Sequence, residues 1–424
     1  MWRWLVTAIA PALVVKLCCA TAMASPCAGP LAAADVVRCA LDNSLEVKRA
    51  RQELSVLAGQ RTTARVFLPS NPTVGVTLVD RQGPSTPAEL NWYLTLSQEL
   101  EIGGQRRARL DAVDAGAAAQ VRRVAVAEQE VAARALAVYY ALTAARETSS
   151  LTAEIASTFE ALVAFADGRV REALMAPVDA DLIHAEGVRV SALRFDAARR
   201  LGGLQVELAT ALGLPATSSL EVPGHLDPPP HADSDVAQLT ERALALRGEV
   251  PAATMEAQVI DRELAVWRRS RVPNPTLAFV AERDRDELVF GGALTLPIPL
   301  PSPVGRTYAG HIDQARARLE QARTSVELVR RRVRQEVAAS WAEERARAQA
   351  LALYTPALLQ RAHADLQAIR DGLSARQLSV REALLAQRAL IELLLGDVDA
   401  RLGQALAWTE LQRASGLPLA GGGR

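Results

Sequence analysis

The sequence has few aromatic residues and almost no lysine. Phe, Trp and Tyr make up 4% of the 424 residues, and lysine occurs only at Lys16 and Lys48, so arginine carries nearly all of the positive charge. The 48 basic and 48 acidic residues balance, which excludes a nucleic-acid binder that works through bulk positive charge. The 50% hydrophobic content excludes a disordered chain. Alanine, leucine, arginine and glutamate dominate instead, and this composition favours long, narrowly packed helices.

The sequence also lacks the motifs of an enzyme or a metal site. Its five histidines do not have metal-ligand spacing, and neither a His-Glu-x-x-His nor a Cys-x-x-Cys motif occurs. Gly103-Gly104 lacks the lysine and the spacing of a phosphate-binding loop, and we expect it to turn the chain from a strand into a helix. We therefore expect no catalytic residue, no cofactor and no metal ligand.

Long apolar runs are confined to the N-terminus. Residues 1–24 combine Arg3, an apolar stretch from Leu5 to Val15 and the small-x-small motif Ala22-Met23-Ala24, which together predict a secretory signal peptide. The alternative is a membrane anchor, but Lys16 closes the stretch well short of the roughly 20 residues that a span needs. We expect no transmembrane helix in the mature chain.

Four cysteines occur, all near the N-terminus. Cys18 and Cys19 would leave with the signal peptide, unless one of them is lipidated. Cys27 and Cys39 would remain, and in an oxidising compartment they could close one small loop through a disulfide.

Two copies of one pattern fill the mature chain. Residues 40–73 align without a gap with residues 243–276, eleven of the 34 positions are identical, and both segments end in Asn-Pro-Thr. Each copy predicts an opening helix, 35–65 and 235–271, that the Asn-Pro pair stops. The predicted division is a signal peptide (1–24), a first repeat (25–213), a Pro-rich linker (214–234), a second repeat (235–415) and a flexible tail (416–424).

Two segments with a period of two follow the opening helix of each copy and predict strand pairs with one apolar face. The residues on the apolar faces are Val74, Val76, Leu78, Trp92, Leu94, Leu96, Leu277, Phe279, Leu294 and Leu296. Loops at 81–89 and 282–287 are expected to join the strands of each pair. Four strands cannot close a membrane barrel alone, since the smallest barrels have about eight. The strands therefore either belong to a barrel shared between subunits or form a small soluble sheet.

Each strand pair leads into a helical pattern of about 60 residues, 105–165 and 306–370. Such a helix is roughly 90 Å long, about three times the thickness of a bilayer core, so it must stand mostly in water. Its apolar residues recur at intervals of three and four, which is typical of coiled-coil packing. Turns near 166–178 and 371–380 are expected to precede shorter return helices.

With these features the chain resembles the TolC-like outer-membrane efflux proteins, especially the outer-membrane subunits of cobalt-zinc-cadmium type heavy-metal pumps. The resemblance rests on the two-copy layout, the Asn-Pro-Thr motifs, the segment 97–106 and the two hairpin turns. At each turn the family usually has a glycine followed six residues later by an acidic residue. Asp179 and Glu382 hold the acidic positions here, whereas Ala173 and Arg376 stand where the family has glycine.

The resemblance implies a mainly α-helical protein with a small β part. It implies a homotrimer with a twelve-stranded barrel in the outer membrane of a Gram-negative bacterium and a periplasmic helical tunnel. Such a duct would passively export heavy-metal cations delivered by an inner-membrane pump of the resistance-nodulation-division type and a periplasmic adaptor. The same duct could carry drugs or serve type I protein secretion. A periplasmic coiled-coil adaptor or scaffold is an alternative of another class.

Both hairpin turns are expected at the periplasmic end, because both strand pairs lie at the opposite end of the long helices. Small and apolar residues at these turns predict a surface that docks adaptor hairpins, unless they only pack each hairpin onto itself. The residues predicted to contact the adaptor are Ala173, Leu174, Pro177, Val178, Asp179, Arg376, Leu378, Ser379, Val380 and Glu382.

Overall fold

A computed structural model describes residues 27, 30–83, 86–231, 234–284, 287–300, 304–305, 307–374 and 379–419, and the predicted signal peptide lies outside them. The described part of the chain contains nine helices and four strands. In the first half these are α1 (Ala33–Asn43), α2 (Leu45–Arg65), β1 (Thr73–Gly83), β2 (Thr86–Glu99), α3 (Gln105–Arg171) and α4 (Pro177–Ala211). In the second half they are α5 (Val236–Leu246), α6 (Glu249–Arg269), β3 (Thr276–Asp284), β4 (Glu287–Thr295), α7 (Ala309–Leu351), α8 (Pro356–Ser374) and α9 (Val380–Ser415).

The opening helix of each copy is broken in two, so the prediction of one continuous helix is wrong at these positions. Ser44 leaves the helical conformation and caps α2, its hydroxyl accepting a hydrogen bond from the amide of Val47 at 3.3 Å. In the second half the break lies at Arg247 and Gly248. A Cβ atom at position 248 would lie 2.8 Å from Cγ2 of Val126, so a glycine allows the break to pack closely against α3.

The long helices differ between the two halves. α3 is continuous over 67 residues and therefore about 100 Å long. The predicted helix 306–370 is instead interrupted between Leu351 and Pro356, because proline lacks a backbone N–H and begins a helix more readily than it continues one. Among the described residues, no helix combines the length and the apolar character needed to span a membrane.

The strands form one antiparallel sheet in the order β1-β2-β3-β4. The predicted loops 81–89 and 282–287 are too long, because strand pairing continues up to Gly83 opposite Thr86 and to residue 284 opposite residue 287. Each hairpin is therefore longer than the period-two pattern alone predicts. The sheet lies at the end of the molecule where α3 and α7 begin, opposite the helical turns.

The largest hydrophobic core lies midway along the helices, where α1, α3, α4, the linker and α9 meet. Leu136, Leu142 and Leu208 are fully buried there, and Leu226 of the linker joins them. Leu419 belongs to the same core and is only 5% exposed. The tail predicted to be flexible from residue 416 is thus packed as far as residue 419, because apolar burial holds it.

The N-terminal segment and the linker are tied to this core. Cys27 and Cys39, for which the sequence left the pairing open, are disulfide-bonded with 5.8 Å between their Cα atoms. The amide of Leu31 donates a hydrogen bond of 2.9 Å to the carbonyl oxygen of Glu221 in the linker. The linker therefore runs along the N-terminal segment across the surface.

A network of charged side chains fastens the linker to two long helices. The guanidinium group of Arg401 on α9 donates to Glu147 on α3 at 2.8 Å, to Asp397 at 2.7 Å and to the carbonyl oxygen of Leu226 at 2.9 Å. Burial raises the pKa of Glu147, but hydrogen bonds from Arg401, the Leu226 amide and His225 outweigh it and hold that pKa below its usual value. The three segments are held together by ionised groups that are largely shielded from water.

Replacing Arg401 by alanine is expected to destabilise the protein by about 3 kcal/mol, because Glu147 and Asp397 lose their shared counter-charge while remaining mostly buried. Denaturant unfolding followed by helical circular dichroism measures the loss. The control is Arg332→Ala on α7, an exposed arginine for which the described structure shows no ion pair. Equal midpoints for the two variants would contradict this role of Arg401.

The same pair of proteins tests the pH dependence. The pKa of Glu147 is lower in the folded than in the unfolded chain, so the stability that it contributes is complete above the unfolded pKa and is lost as pH falls through the folded one. The stability difference between wild type and Arg401→Ala should therefore shrink as pH falls from about 7 to about 3. A difference that stays constant over this range would show that ionised carboxylates do not hold the linker.

Candidate functional site

The sheet presents one largely apolar face to its surroundings, with the charged residues Asp80 and Arg283 near its hairpin end. Val74 lies opposite Leu96, Leu96 opposite Phe279, and Phe279 opposite Gly292, so alternate residues of all four strands share this face. The predicted residues on it are Val74, Val76, Leu78, Trp92, Leu94, Leu96, Leu277, Phe279 and Leu294, whereas Leu296 follows the end of β4 by one residue. Val74 and Leu294 are 66% and 67% exposed, although they are apolar.

Three further apolar residues lie on the same face and were missed in the sequence analysis: Leu90, Leu288 and Phe290. Their spacing of two within β2 and β4 continues the period that predicted the strands, and they were missed because they fall at or near the expected loops. Phe290 stacks on Phe279 with 6.1 Å between the ring centroids. The complete face is larger than the sequence analysis predicted, and such an area is unfavourable in water.

Most residues on the opposite face of the sheet are polar or small, and the exceptions include Val79, Val280 and Val289. Thr77 lies opposite Tyr93, and Thr95 opposite Val280, while Thr73 and Ser97 share a hydrogen bond of 2.6 Å between their hydroxyl groups. Within the described residues, β1 and β4 each pair with a single strand, so the sheet has two open edges. The largely apolar face therefore suits an apolar medium, and the opposite face suits water better. The backbone groups at the two open edges can pair with further strands.

The first hairpin turn follows the end of α3. Its backbone forms a Schellman motif, in which the amide of Leu174 donates to the carbonyl of Arg169 at 2.8 Å and that of Ala173 to the carbonyl of Val170 at 3.0 Å. Ala173 has a φ of 56°, in the left-handed region that favours glycine. The sequence comparison with the TolC-like family places that family's usual glycine at this position, and the left-handed conformation observed here suits glycine better than alanine.

Pro177 is the first residue of α4 and Asp179 lies in its first turn, where a negative charge is favourable. Val178 is 67% exposed and Leu174 is also exposed. The five adaptor-contact residues predicted at this turn thus divide into two exposed apolar side chains and three that shape the turn.

The second turn is described from Ser379 onwards, and Arg376 and Leu378 lie outside the described residues. Ser379 and Glu382 form a capping box at the start of α9, in which the amide of Glu382 donates to the Ser379 hydroxyl at 3.4 Å and the Ser379 amide donates to Glu382 at 3.3 Å. A hydrogen bond from the Ser379 hydroxyl to the Glu382 carboxylate, together with that from the Ser379 amide, holds the pKa of Glu382 below its usual value. Val380 is buried, so its side chain packs inside the hairpin and does not form part of the exposed surface of the turn.

The two hairpins contact each other near their turns. Phe159 of α3, Ile183 of α4 and Ile391 of α9 are buried in one hydrophobic cluster. Glu186 on α4 accepts hydrogen bonds from Arg189 and, at 2.8 Å, from Arg388 on α9. Burial raises the pKa of Glu186, but the two arginines outweigh it and lower the pKa overall. The described parts of both turns therefore lie at the same end of the molecule.

The histidines make contacts that belong to the fold. Nδ1 of His231 lies 2.8 Å from Glu344, and Nε2 of His184 lies 2.8 Å from Asp167. Across the residues that the structure describes, no group of three His, Cys, Asp or Glu side chains is arranged to hold a metal ion.

This fold, long helical hairpins with a four-stranded sheet at one end, is similar to that of solved outer-membrane channels. The chain superposes on the Campylobacter jejuni CmeC outer membrane channel with a TM-score of 0.76 at 14% identity, covering 92% of this chain and 87% of that one. It superposes on the open state of the Neisseria gonorrhoeae MtrE outer membrane channel with a TM-score of 0.71 at 18% identity, covering 92% of this chain and 90% of that one.

In sequence the chain is similar to the cobalt-zinc-cadmium resistance protein CzcC of Cupriavidus metallidurans, with 24% identity over 275 residues. The match covers 64% of this chain and 64% of CzcC, just under two thirds of that relative. No family model matches the chain. The resemblance to outer-membrane efflux proteins that the sequence predicted is confirmed at the level of the fold.

The left-handed backbone conformation of Ala173 predicts that two alanine-to-glycine substitutions change the stability of the protein in opposite directions. Ala173→Gly should stabilise the hairpin by about 1 kcal/mol, because glycine adopts this conformation without steric cost. Ala161→Gly, on an exposed position inside α3, should destabilise it by about 1 kcal/mol. Thermal unfolding of the two purified variants measures both effects, and a loss of stability in Ala173→Gly would contradict the assigned turn.

Proposed function

We propose that the chain is the outer-membrane exit duct of a tripartite efflux system, in which three copies share a twelve-stranded barrel and a periplasmic helical tunnel. An inner-membrane pump of the resistance-nodulation-division type and a periplasmic adaptor deliver the cargo, heavy-metal cations, and the duct passes it on passively. The duct performs no chemistry. The observation that carries the proposal is the sheet, with its exposed apolar face and its two open edges.

The geometry of the sheet supports a shared barrel. Strands of nine to fourteen residues are long enough to cross a bilayer core when tilted. Unpaired backbone groups at an open edge cost several kcal/mol each in lipid, so a four-stranded sheet needs partners there. Three copies supply twelve strands, and the alternation of strand direction lets β4 of one copy pair antiparallel with β1 of the next.

The helices support a long periplasmic part. A helix of about 100 Å exceeds the bilayer core about threefold, and its polar surface suits water. The disulfide between Cys27 and Cys39 suits an oxidising compartment outside the cytoplasm.

The cargo is inferred from the name of CzcC, a cobalt-zinc-cadmium resistance protein. Drugs, or polypeptides in type I secretion, are the alternative cargo of the same duct. The second alternative is a periplasmic adaptor, which usually carries one helical hairpin flanked by a lipoyl-like β domain. This chain has two helical hairpins and one sheet formed by strands from both halves, which favours the duct over the adaptor.

Trimeric assembly in the outer membrane is the first test. Protein extracted by detergent from isolated outer membranes should have a mass near three chains in light scattering, because the open strand edges need partners. A stable, water-soluble monomer would contradict the proposal.

The second test concerns the exposed valine at the first turn. Val178→Asp should leave trimer formation unchanged and abolish the metal tolerance that the gene restores to a deletion strain, because a charge would be desolvated in the adaptor contact. Val178→Thr keeps the shape of the side chain and is the control, which should restore nearly full tolerance. If Val178→Asp still assembles with the adaptor and restores full tolerance, the turn does not dock the adaptor.

A further inference from the structure

A groove of about 610 Å³ lies between the start of α3 and the end of α6, directly beside the sheet. Arg107 and Asp111 of α3 line one side, and Arg262 and Arg269 of α6 line the other. Ile102 and Val272 border the groove, and both of these apolar side chains are exposed. Three guanidinium groups against a single carboxylate make the groove positively charged.

None of these three arginines forms an ion pair with a described residue, although Asp111 lies in the same groove. No hydrogen bond or ion pair of their side chains is present among the described residues. Two other arginines at this end of the molecule do have partners, since Arg109 pairs with Glu101, and Arg61 pairs with Asp114 at 2.7 Å. The groove therefore holds three arginines without an ion-pair partner, whereas Arg109 and Arg61 at the same end of the molecule are each paired with a carboxylate.

The backbone of the groove adds to this charge. Gly104, at the start of α3, has a φ of 75°, the helix has no side-chain cap, and its first turn carries no acidic residue. The first amide groups of α3 are therefore without a capping side chain. A Cβ atom at Gly103 would lie 2.6 Å from Cβ of Val272, so the two segments that form the floor of the groove touch.

The position of the groove relative to the sheet identifies its surroundings. Ile102 follows the last residue of β2, Glu99, by three positions, and Val272 precedes the first residue of β3, Thr276, by four. At about 3.3 Å per residue, the groove lies within roughly 10–13 Å of the end of the sheet. If the sheet crosses the outer membrane, this is the level of the phosphate groups of the periplasmic leaflet.

We propose that the groove binds the phosphate group of a phospholipid in the inner leaflet of the outer membrane. The proposal rests on the proposed function, since it needs the sheet in that membrane. Arg107, Arg262 and Arg269 donate hydrogen bonds to the phosphate oxygens, for which the planar guanidinium group is suited. Ile102 and Val272 contact the acyl chains. The apolar border next to the charged groups favours a lipid over a free anion, which would leave that border in water.

The test compares the full-length trimer with a variant carrying R107Q, R262Q and R269Q. The probe is phosphatidylglycerol added to the detergent-purified protein, with bound lipid counted by native mass spectrometry. The control carries R331Q, R332Q and R334Q on α7, which removes the same charge from exposed arginines away from the groove, since their neighbour Val333 packs against Leu239 and Ala243 of α5. Wild type and control should bind the lipid at least about tenfold more tightly than the groove variant.

A lysine variant, with R107K, R262K and R269K, keeps the charge and loses the bidentate geometry. It should bind the lipid more weakly than wild type and more tightly than the glutamine variant. Should the glutamine variant fail to fold, the comparison of the lysine variant with wild type decides, and equal binding by these two would overturn the proposal.

Two further outcomes would overturn it. One is equal lipid binding by the glutamine variant and wild type. The other is displacement of the lipid by inorganic phosphate at equal concentration, which would indicate a site for a free anion. The mass and the membrane fraction of the same samples test the proposed function separately. A wild-type trimer from the outer membrane whose lipid binding is independent of the arginines contradicts this inference alone.

Discussion

A sheet of four antiparallel strands has two edges with unpaired backbone groups, and in this chain the same sheet also exposes a face of large apolar side chains. Water solvates the edges but not the face, whereas lipid solvates the face but not the edges. Neither medium alone satisfies both. The conflict is removed when the edges pair with the edges of other copies and the face meets lipid, which is why the proposed function follows from the sheet and not from the helices.

The helices keep the sheet and the turns far apart. α3 joins the two ends without a break, and the core midway along it binds the N-terminal segment, the linker and the C-terminal residues together. The linker is the covalent connection between the halves, and Arg401 anchors it to α3 and α9 through ionised partners. At mid-height and near the turns alike, a hydrophobic cluster and a charged network together hold the hairpins in contact.

The strands and long helices could be predicted because their side-chain periods depend on local geometry. The breaks at Ser44 and Gly248 were missed for different reasons. Ser44 is a strong helix-capping residue whose signal is visible in the sequence, whereas the need for a glycine at position 248 depends on its contact with Val126 of α3. Pro356 begins α8, but the apolar pattern continues on both sides of it, so one continuous helix was predicted there.

The side-chain contacts across the fold could not be predicted in the same way. Glu147 and Arg401 are 254 positions apart in sequence, and nothing in either neighbourhood indicates the other. The groove arginines lie on two helices from different halves of the chain, so their convergence becomes visible only in three dimensions. The turns were predictable only in part. Their positions follow from the repeat, but the left-handed conformation of Ala173 could not be predicted from the sequence.

Cross-linking of the two edge strands tests the central claim most directly. Thr77 of β1 and Val289 of β4 lie in one row at opposite edges of the sheet, three strand spacings or about 14 Å apart within a chain, which is too far for a disulfide. Chains carrying Thr77→Cys together with Val289→Cys, Gly291→Cys or Ala293→Cys sample the register between copies. The account predicts that oxidation in outer membranes links at least one of these double variants into a ladder that stops at three chains. If every double variant stays a single chain under oxidation, the sheets of different copies do not join at their edges and the shared barrel is wrong.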